Sequence, residues 1–237
     1  MTTNGSLLRA LVDLRDRQIQ KGRIQFGNRL DALQRQADES AGSGQRTIVE
    51  RWNERFAEME KELDKDIRRV VRDEPMYELL SGIKGVGDTF AAKLLAFIDI
   101  ERAGTVSAVW RYAGYAVIDG ERERAKKGEV LHYNKRLKTT CYLIAESFLR
   151  CNSPYRAIYD EAKAYYQAER PDWTLGHCHN AAMRKMVKIF LSHLWLRWRE
   201  LEGLPTSRPY VHAHLEHTHV YEPADFGWSE VEAEDRK

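Results

Sequence analysis

The chain has 237 residues, 43% of them hydrophobic and 31% charged, with a formal net charge of only +2. That length suits one large domain, or a smaller domain with an extended element. No run of 18 apolar residues occurs, which excludes a membrane-spanning helix. The cysteines Cys141, Cys151 and Cys178 are odd in number, far apart and without CxxC spacing, which excludes a disulfide framework. The opening "MTTNGSLLRA" lacks the sections of a secretory signal, so the expected location is cytoplasmic.

In chain order, Leu7, Leu11 and Leu14, then Phe26, Leu30, Leu33 and Ala37, recur at helical spacing in two different phases. The phase breaks around Gly22 and Gly27, where a kink or an exchange of packing partner is expected. "ESAGSGQ", Glu39 to Gln45, reads as a flexible turn. Ile48, Trp52, Phe56, Met59, Leu63, Ile67 and Val70 then form a near-coiled-coil seam among densely mixed charges. Two long helices joined by a short turn predict an antiparallel hairpin. So narrow a unit buries little by itself, so a homodimer is expected. Asp73-Glu74-Pro75 ends the hairpin.

The remainder reads as a compact helical region. Helices are expected over Met76–Ser81, Gly87–Ile98 and Thr105–Ala113, the last with Thr105 as N-cap and Gly114 as C-cap. Glu121 to Leu131 has no helical period and reads as a charged loop or small hairpin. Apolar spacing predicts further helices from Asn134 to Arg150, from Ser153-Pro154 to about Glu169, and from Thr174 to Leu201. Beyond Gly203 and Pro205 the chain looks irregular. The expected class is all-α. The expected divisions are a coiled-coil hairpin over 1–74, a compact domain over 75–202 and an irregular acidic tail over 203–237.

The stretch "LLSGIKGVGDTFAAKLLAFID", Leu79 to Asp99, carries the most chemistry. Leu79, Leu80 and Ile83 precede a Gly85-Val86-Gly87 turn; Ala91, Leu94, Leu95 and Ile98 follow at helical spacing. This is the pattern of a helix-hairpin-helix. The glycines permit backbone conformations and close approaches that a side chain would obstruct, and Val86 plugs the turn into the core. Unpaired amides at Gly85, Gly87 and the start of the next helix, Thr89 among them, would face a phosphate at the positive end of the helix dipole. Lys84 and Lys93 flank the turn. Such a site grips sugar-phosphate without reading bases. A plain inter-helix corner is the competing reading of the same three residues.

Charge is uneven along the chain. Glu121 to Lys138 carries seven basic residues, Arg122, Arg124, Lys126, Lys127, Lys135, Arg136 and Lys138, against three glutamates. This basic island indicates a polyanionic partner. The segment Glu216 to Lys237 carries seven acids against two bases and reads as a solvated end. His212, His214, His217 and His219, with His177, Cys178 and His179 upstream, fit no zinc spacing, so no metal and no cofactor is assigned. Trp195 and Trp198 read as core or dimer contacts, and Asp99 and Glu101 as helix-end residues.

These segments in this order resemble the C-terminal half of the insertion sequence one-ten family of transposases, the RNA-bridged DEDD recombinases. The resemblance runs from the glycine turn through "VSAVWRYAGYA", "KKGEVLHYNKRLKTTCYLIAESF", "NSPYRAIYDEA" and "HNAAMRKMVKIFLSHLW", with "LRDRQIQKGRIQFGNRLDALQRQ" similar to the connector. It implies DNA as a partner, structured RNA as a second one, a prokaryotic nucleoid-associated setting, and a transposition context. Two features of the family have no counterpart: the acidic RNase H-like domain, and the serine that follows the "YAG" segment. No serine lies between Ser107 and Ser147, Thr139 and Thr140 fall inside a helix, and Tyr133 is the nearest hydroxyl. The expectation is a protein that holds DNA backbone without a catalytic centre of its own. The alternatives are a recombinase subunit completed by a separate acidic chain, and a structural coiled-coil protein.

Overall fold

The computed structural model describes residues 3–35, 43–118, 121–122, 128, 130–206 and 221–231. The elements are α1 (Thr3–Leu14), a π turn (Arg15–Ile19), α2 (Gln20–Arg35), α3 (Ser43–Arg72), α4 (Pro75–Ser81), α5 (Asp88–Phe97), α6 (Val106–Tyr112), α7 (Lys135–Arg150), α8 (Tyr155–Glu169) and α9 (Leu175–Leu201). Two short strands, β1 (Val117–Ile118) and β2 (Glu121–Arg122), pair antiparallel. The class is all-α.

The N-terminal helices pack in opposite directions. Arg15 meets Asp64, Arg23 meets Glu60 and Phe26 stacks on Phe56, so the partner number falls as the chain number rises. The change of apolar phase is made by the π turn at Arg15–Ile19, ahead of the two glycines. A π turn holds one residue more than an α turn and so rotates the apolar stripe of α2 relative to α1. Gly22 serves a different need. A Cβ there would lie 2.7 Å from the Phe56 ring, so the two helices approach face to face over bare backbone. Ser43, Gly44 and Gln45 already belong to α3, not to the expected turn. The rest of that turn lies outside the described residues.

The core does not stop at Pro75. Leu8, Val12, Ile19, Leu63, Ile67 and Val71 share one apolar cluster with Leu80, Ile83, Leu94, Ile144, Phe190 and Trp195. The base of the antiparallel pair is thus part of the compact domain, and only its far end projects.

Local signals set the remaining boundaries. Pro75 occupies the first turn of α4, where a missing N–H costs nothing. The Thr105 hydroxyl accepts from the Ala108 amide and caps α6, while Gly114 follows with φ +74°. Asn134 accepts from the amides of Arg136 and Leu137, and Thr174 accepts from that of His177.

The acidic C-terminal segment departs from expectation. Residues 221–231 are not a solvated end: Phe226 and Trp228 are buried against α8 and α9. The Trp228 indole donates to the Tyr155 hydroxyl at 2.7 Å, that hydroxyl lies 2.7 Å from His193 Nδ1, and His193 Nε2 lies 2.9 Å from the Tyr221 carbonyl. Trp195 and Trp198 are core residues. Among the described residues, no helix is long and apolar enough to cross a membrane.

Candidate nucleic-acid interface

The turn between α4 and α5 is built from below by α7. Gly85 has φ +105°, a conformation strained for any other residue, and a Cβ there would lie 2.9 Å from Phe148 and 3.0 Å from Cys151 Sγ. Its carbonyl accepts from Ser147 Oγ at 2.9 Å. Val86 is buried, and its amide donates to the Ile83 carbonyl at 3.0 Å. Gly87 is unlike Gly85. It is the N-cap of α5 with extended backbone at φ −92°, and a Cβ built on it meets nothing within 4 Å. Of the two glycines, only Gly85 is conformationally required. Gly87 instead leaves open space in front of the helix end.

The amides of Gly85, Gly87, Asp88, Thr89 and Phe90 have no acceptor among the described residues. The first intrahelical bond at this end comes from the Ala91 amide to the Gly87 carbonyl. Lys84 is exposed beside them and Thr89 is half-buried. Asp88 also stands in this first turn, a residue that the pattern of glycines did not flag. Its carboxylate accepts from Tyr77 Oη at 2.5 Å and pairs with Arg68 at 2.5 Å, with Arg72 at 3.8 Å. Burial works against its charge, but the bonds from Tyr77 and Arg68 and the charge of Arg72 hold its carboxyl below the usual range. The Tyr77 phenol is raised, first by its hydrogen bond to Asp88 and then by burial. Arg68 and Arg72 lie one turn apart at the end of α3, and that spacing was the available signal.

Two of the expected phosphate-binding cations are engaged inside the protein. Lys93 Nζ lies 2.9 Å from Asp16, and both side chains are largely buried. Arg136 pairs with Asp13 and with Asp16, donates to the Val12 carbonyl, and lies 4.5 Å from the centre of the Phe97 ring. These two residues therefore fasten α1 and the π turn to α5 and α7, which corrects their assignment as backbone contacts.

Lys135 is exposed at the start of α7. Lys138 lies 4.4 Å over the Tyr133 ring, and both pack against the backbone at Gly114. Arg122 contributes backbone to β2, while Arg124, Lys126 and Lys127 lie outside the described residues. Tyr115, the other hydroxyl near this region, is buried with its Oη 3.3 Å from the Lys138 carbonyl. Burial drives its phenol far above the ordinary value, the reverse of an activated nucleophile.

The upstream histidines are structural. His177 stacks on Trp173 with ring centres 3.9 Å apart, and His179 Nδ1 lies 2.8 Å from the Tyr159 hydroxyl. No group of metal-ligating side chains occurs among the described residues. The histidines from His212 to His219 lie outside them. Asp99 accepts from the Arg102 amide at 3.3 Å just beyond α5, as a helix-end residue does.

No curated protein matches the chain. Residues 77–160, from α4 to the first turns of α8, match the family model described as "Transposase IS116/IS110/IS902 family". That segment, which contains the open turn, α7 and Ser147 beneath the turn, is the part of the chain that is similar to this transposase family.

Proposed function

We propose that this chain holds duplex DNA by its sugar-phosphate backbone in a transposition or recombination setting, and that it carries no nucleophile of its own. The observation that carries the reading is the row of amides without acceptors at the start of α5, with open space before Gly87 and Lys84 beside it. Amides aimed outward at the positive end of a helix favour an anion. The Asp88 carboxylate would oppose one, but Arg68 and Arg72 offset it, and Lys84 makes the rim positive. Elsewhere in the sequence, the segment 121–130 carries four more basic residues. The absence of a catalytic centre rests on the loop between Gly114 and α7: its hydroxyls are Tyr115, buried, and Tyr133, covered by Lys138.

A Gly87→Ala variant tests the grip, because the added methyl group meets no protein atom and blocks only what approaches the amides. Its thermal stability is expected to match that of the parent while affinity for a short duplex falls roughly tenfold, the loss of about one hydrogen bond to a charged group. Lys84→Ala should reduce the slope of log affinity against log salt by about 0.9. Binding that ignores both changes, or that does not vary with salt, rejects the reading. Gly85→Ala is not a usable control, since it would collide with Phe148 in an unfavourable backbone conformation.

A further inference from the structure

A cleft of about 310 Å³ opens between α7 and α9, lined by Tyr115, Lys138, Tyr142, Asn180, Met183 and Arg184. Its volume is at the lower end of the range for small-molecule sites. The floor is apolar, from Met183 and the ring of Tyr115, and both are buried. Tyr142 is exposed at the rim, where its phenol is held above the ordinary value by a hydrogen bond to Glu146.

The cleft lies on a longer track. His177, Asn180, Arg184 and Lys188 recur every three or four residues and so share one face of α9. The stripe is about 16 Å long at 1.5 Å per residue. His177 and Asn180 are exposed, and Asn180 Nδ2 is committed to the Gly176 carbonyl at 2.8 Å. Lys188 closes the inner end, its Nζ 3.9 Å from the centre of the Trp110 ring, and no carboxylate reaches it among the described residues. Burial and then the Arg184 charge lower its pKa. Arg184 lines the cleft beside Met183 and Tyr115. Beyond it the track ends in an aromatic platform, with Tyr166 5.5 Å from Trp173 and Trp173 stacked on His177. Arg170 lies 5.9 Å from the same Trp173 ring.

Aromatic faces alternating with cations are the arrangement that holds an unpaired strand. Bases stack on the rings whatever their sequence, while the cations follow the phosphates. A duplex keeps its bases stacked on each other and cannot offer them. We propose that the cleft between α7 and α9 seats one unstacked nucleotide of a single strand, its base against Tyr142 and Met183 and its phosphates toward Lys138 and Arg184. The neighbouring bases lie on the Trp173–His177 platform. This site is separate from the duplex grip at α5 and does not depend on it.

The test uses the full chain and labelled oligonucleotides of about twelve residues, oligo(dT), oligo(U) and a duplex, compared by fluorescence anisotropy. Tyr142→Ala, Trp173→Ala and the pair together are expected to weaken single-strand binding, by about fivefold or more for each ring removed, and to leave duplex binding unchanged. Gly87→Ala should do the reverse, so failure of one site is told from failure of the other. On the unmodified protein, photocrosslinking with an iodouracil oligonucleotide should give adducts on the peptides of α7 and α9. Equal losses on duplex and single strand, no single-strand binding at low salt, or adducts confined to other helices would overturn the proposal.

Discussion

The far end of the antiparallel pair and the domain around α9 solve opposite problems with similar helices. The arm is two helices thick. α2 buries none of its residues, and its hold on α3 comes from the Phe26–Phe56 stack and from Gln20 and Arg23 on Glu60. In the domain, α9 buries residues on every side, and even its polar groups are enclosed. Arg199 is buried there and donates to the carbonyls of Ile100, Ala103 and Pro205. Helix length does not confer stability here. α3 is the longer helix, yet only its base shares in the core, while its distal turns carry apolar side chains that this chain leaves uncovered.

Removing one aromatic ring from each region measures the contrast directly. Trp195 is fully buried, and its indole donates to the Ala103 carbonyl at 2.6 Å. Trp195→Ala is expected to cost about 3–5 kcal/mol, from lost burial and the cavity left behind. Thermal denaturation should show a fall of about 10 °C. In the arm, Phe56→Ala removes a ring that is only partly buried, and the expected loss is about 1 kcal/mol. Similar losses at the two sites would mean that the arm is as tightly integrated as the domain.

Much of the domain was legible from sequence because its signals are local. Thr105, Asn134 and Gly114 punctuate helices through bonds that span only a few residues. What escaped is tertiary. Lys93 and Arg136 look like free cations beside a basic island, and nothing near them in sequence announces Asp13 and Asp16, which neutralise them across the fold. The C-terminal segment looked solvated because its acids outnumber its bases, yet Phe226 and Trp228 fill the gap beside Tyr155. Composition averages over a segment, whereas two aromatic rings suffice to anchor it. The phase change of the first helix was visible, but a π turn has no residue signature of its own, so the break was assigned to the glycines.

The seam between arm and domain gives a smaller effect with a pH signature. Asp88 joins α5 to the end of α3 through Arg68 and Arg72, and joins α4 through Tyr77. Because its carboxyl is held below the usual range in the folded state, the stabilisation is present above the unfolded value of about 4 and is lost as pH falls through the folded one. Asp88→Asn should therefore cost roughly 1 kcal/mol at neutral pH. The gap between the two proteins should close at acid pH. A gap that stays constant from neutral to strongly acid pH would show that the charge of Asp88 does not matter.

The smallest effect on the fold should accompany the largest effect on assembly. Ile48, Trp52 and Met59 are 53%, 41% and 47% exposed on α3, and they share a face at heptad-like spacing. Val49 and Leu63 on the same helix are buried. An uncovered apolar stripe on a two-helix arm is what a second copy would cover, and pairing two arms would thicken the layer where it is thinnest. Trp52→Glu leaves no cavity in the folded chain, so its unfolding free energy is expected to change by no more than about 0.5 kcal/mol. The charge would, however, sit in the middle of the paired surface. In sedimentation velocity across a concentration series, the parent should sediment as a dimer and the variant as a monomer. If both sediment alike at every concentration, the stripe is not where two copies meet.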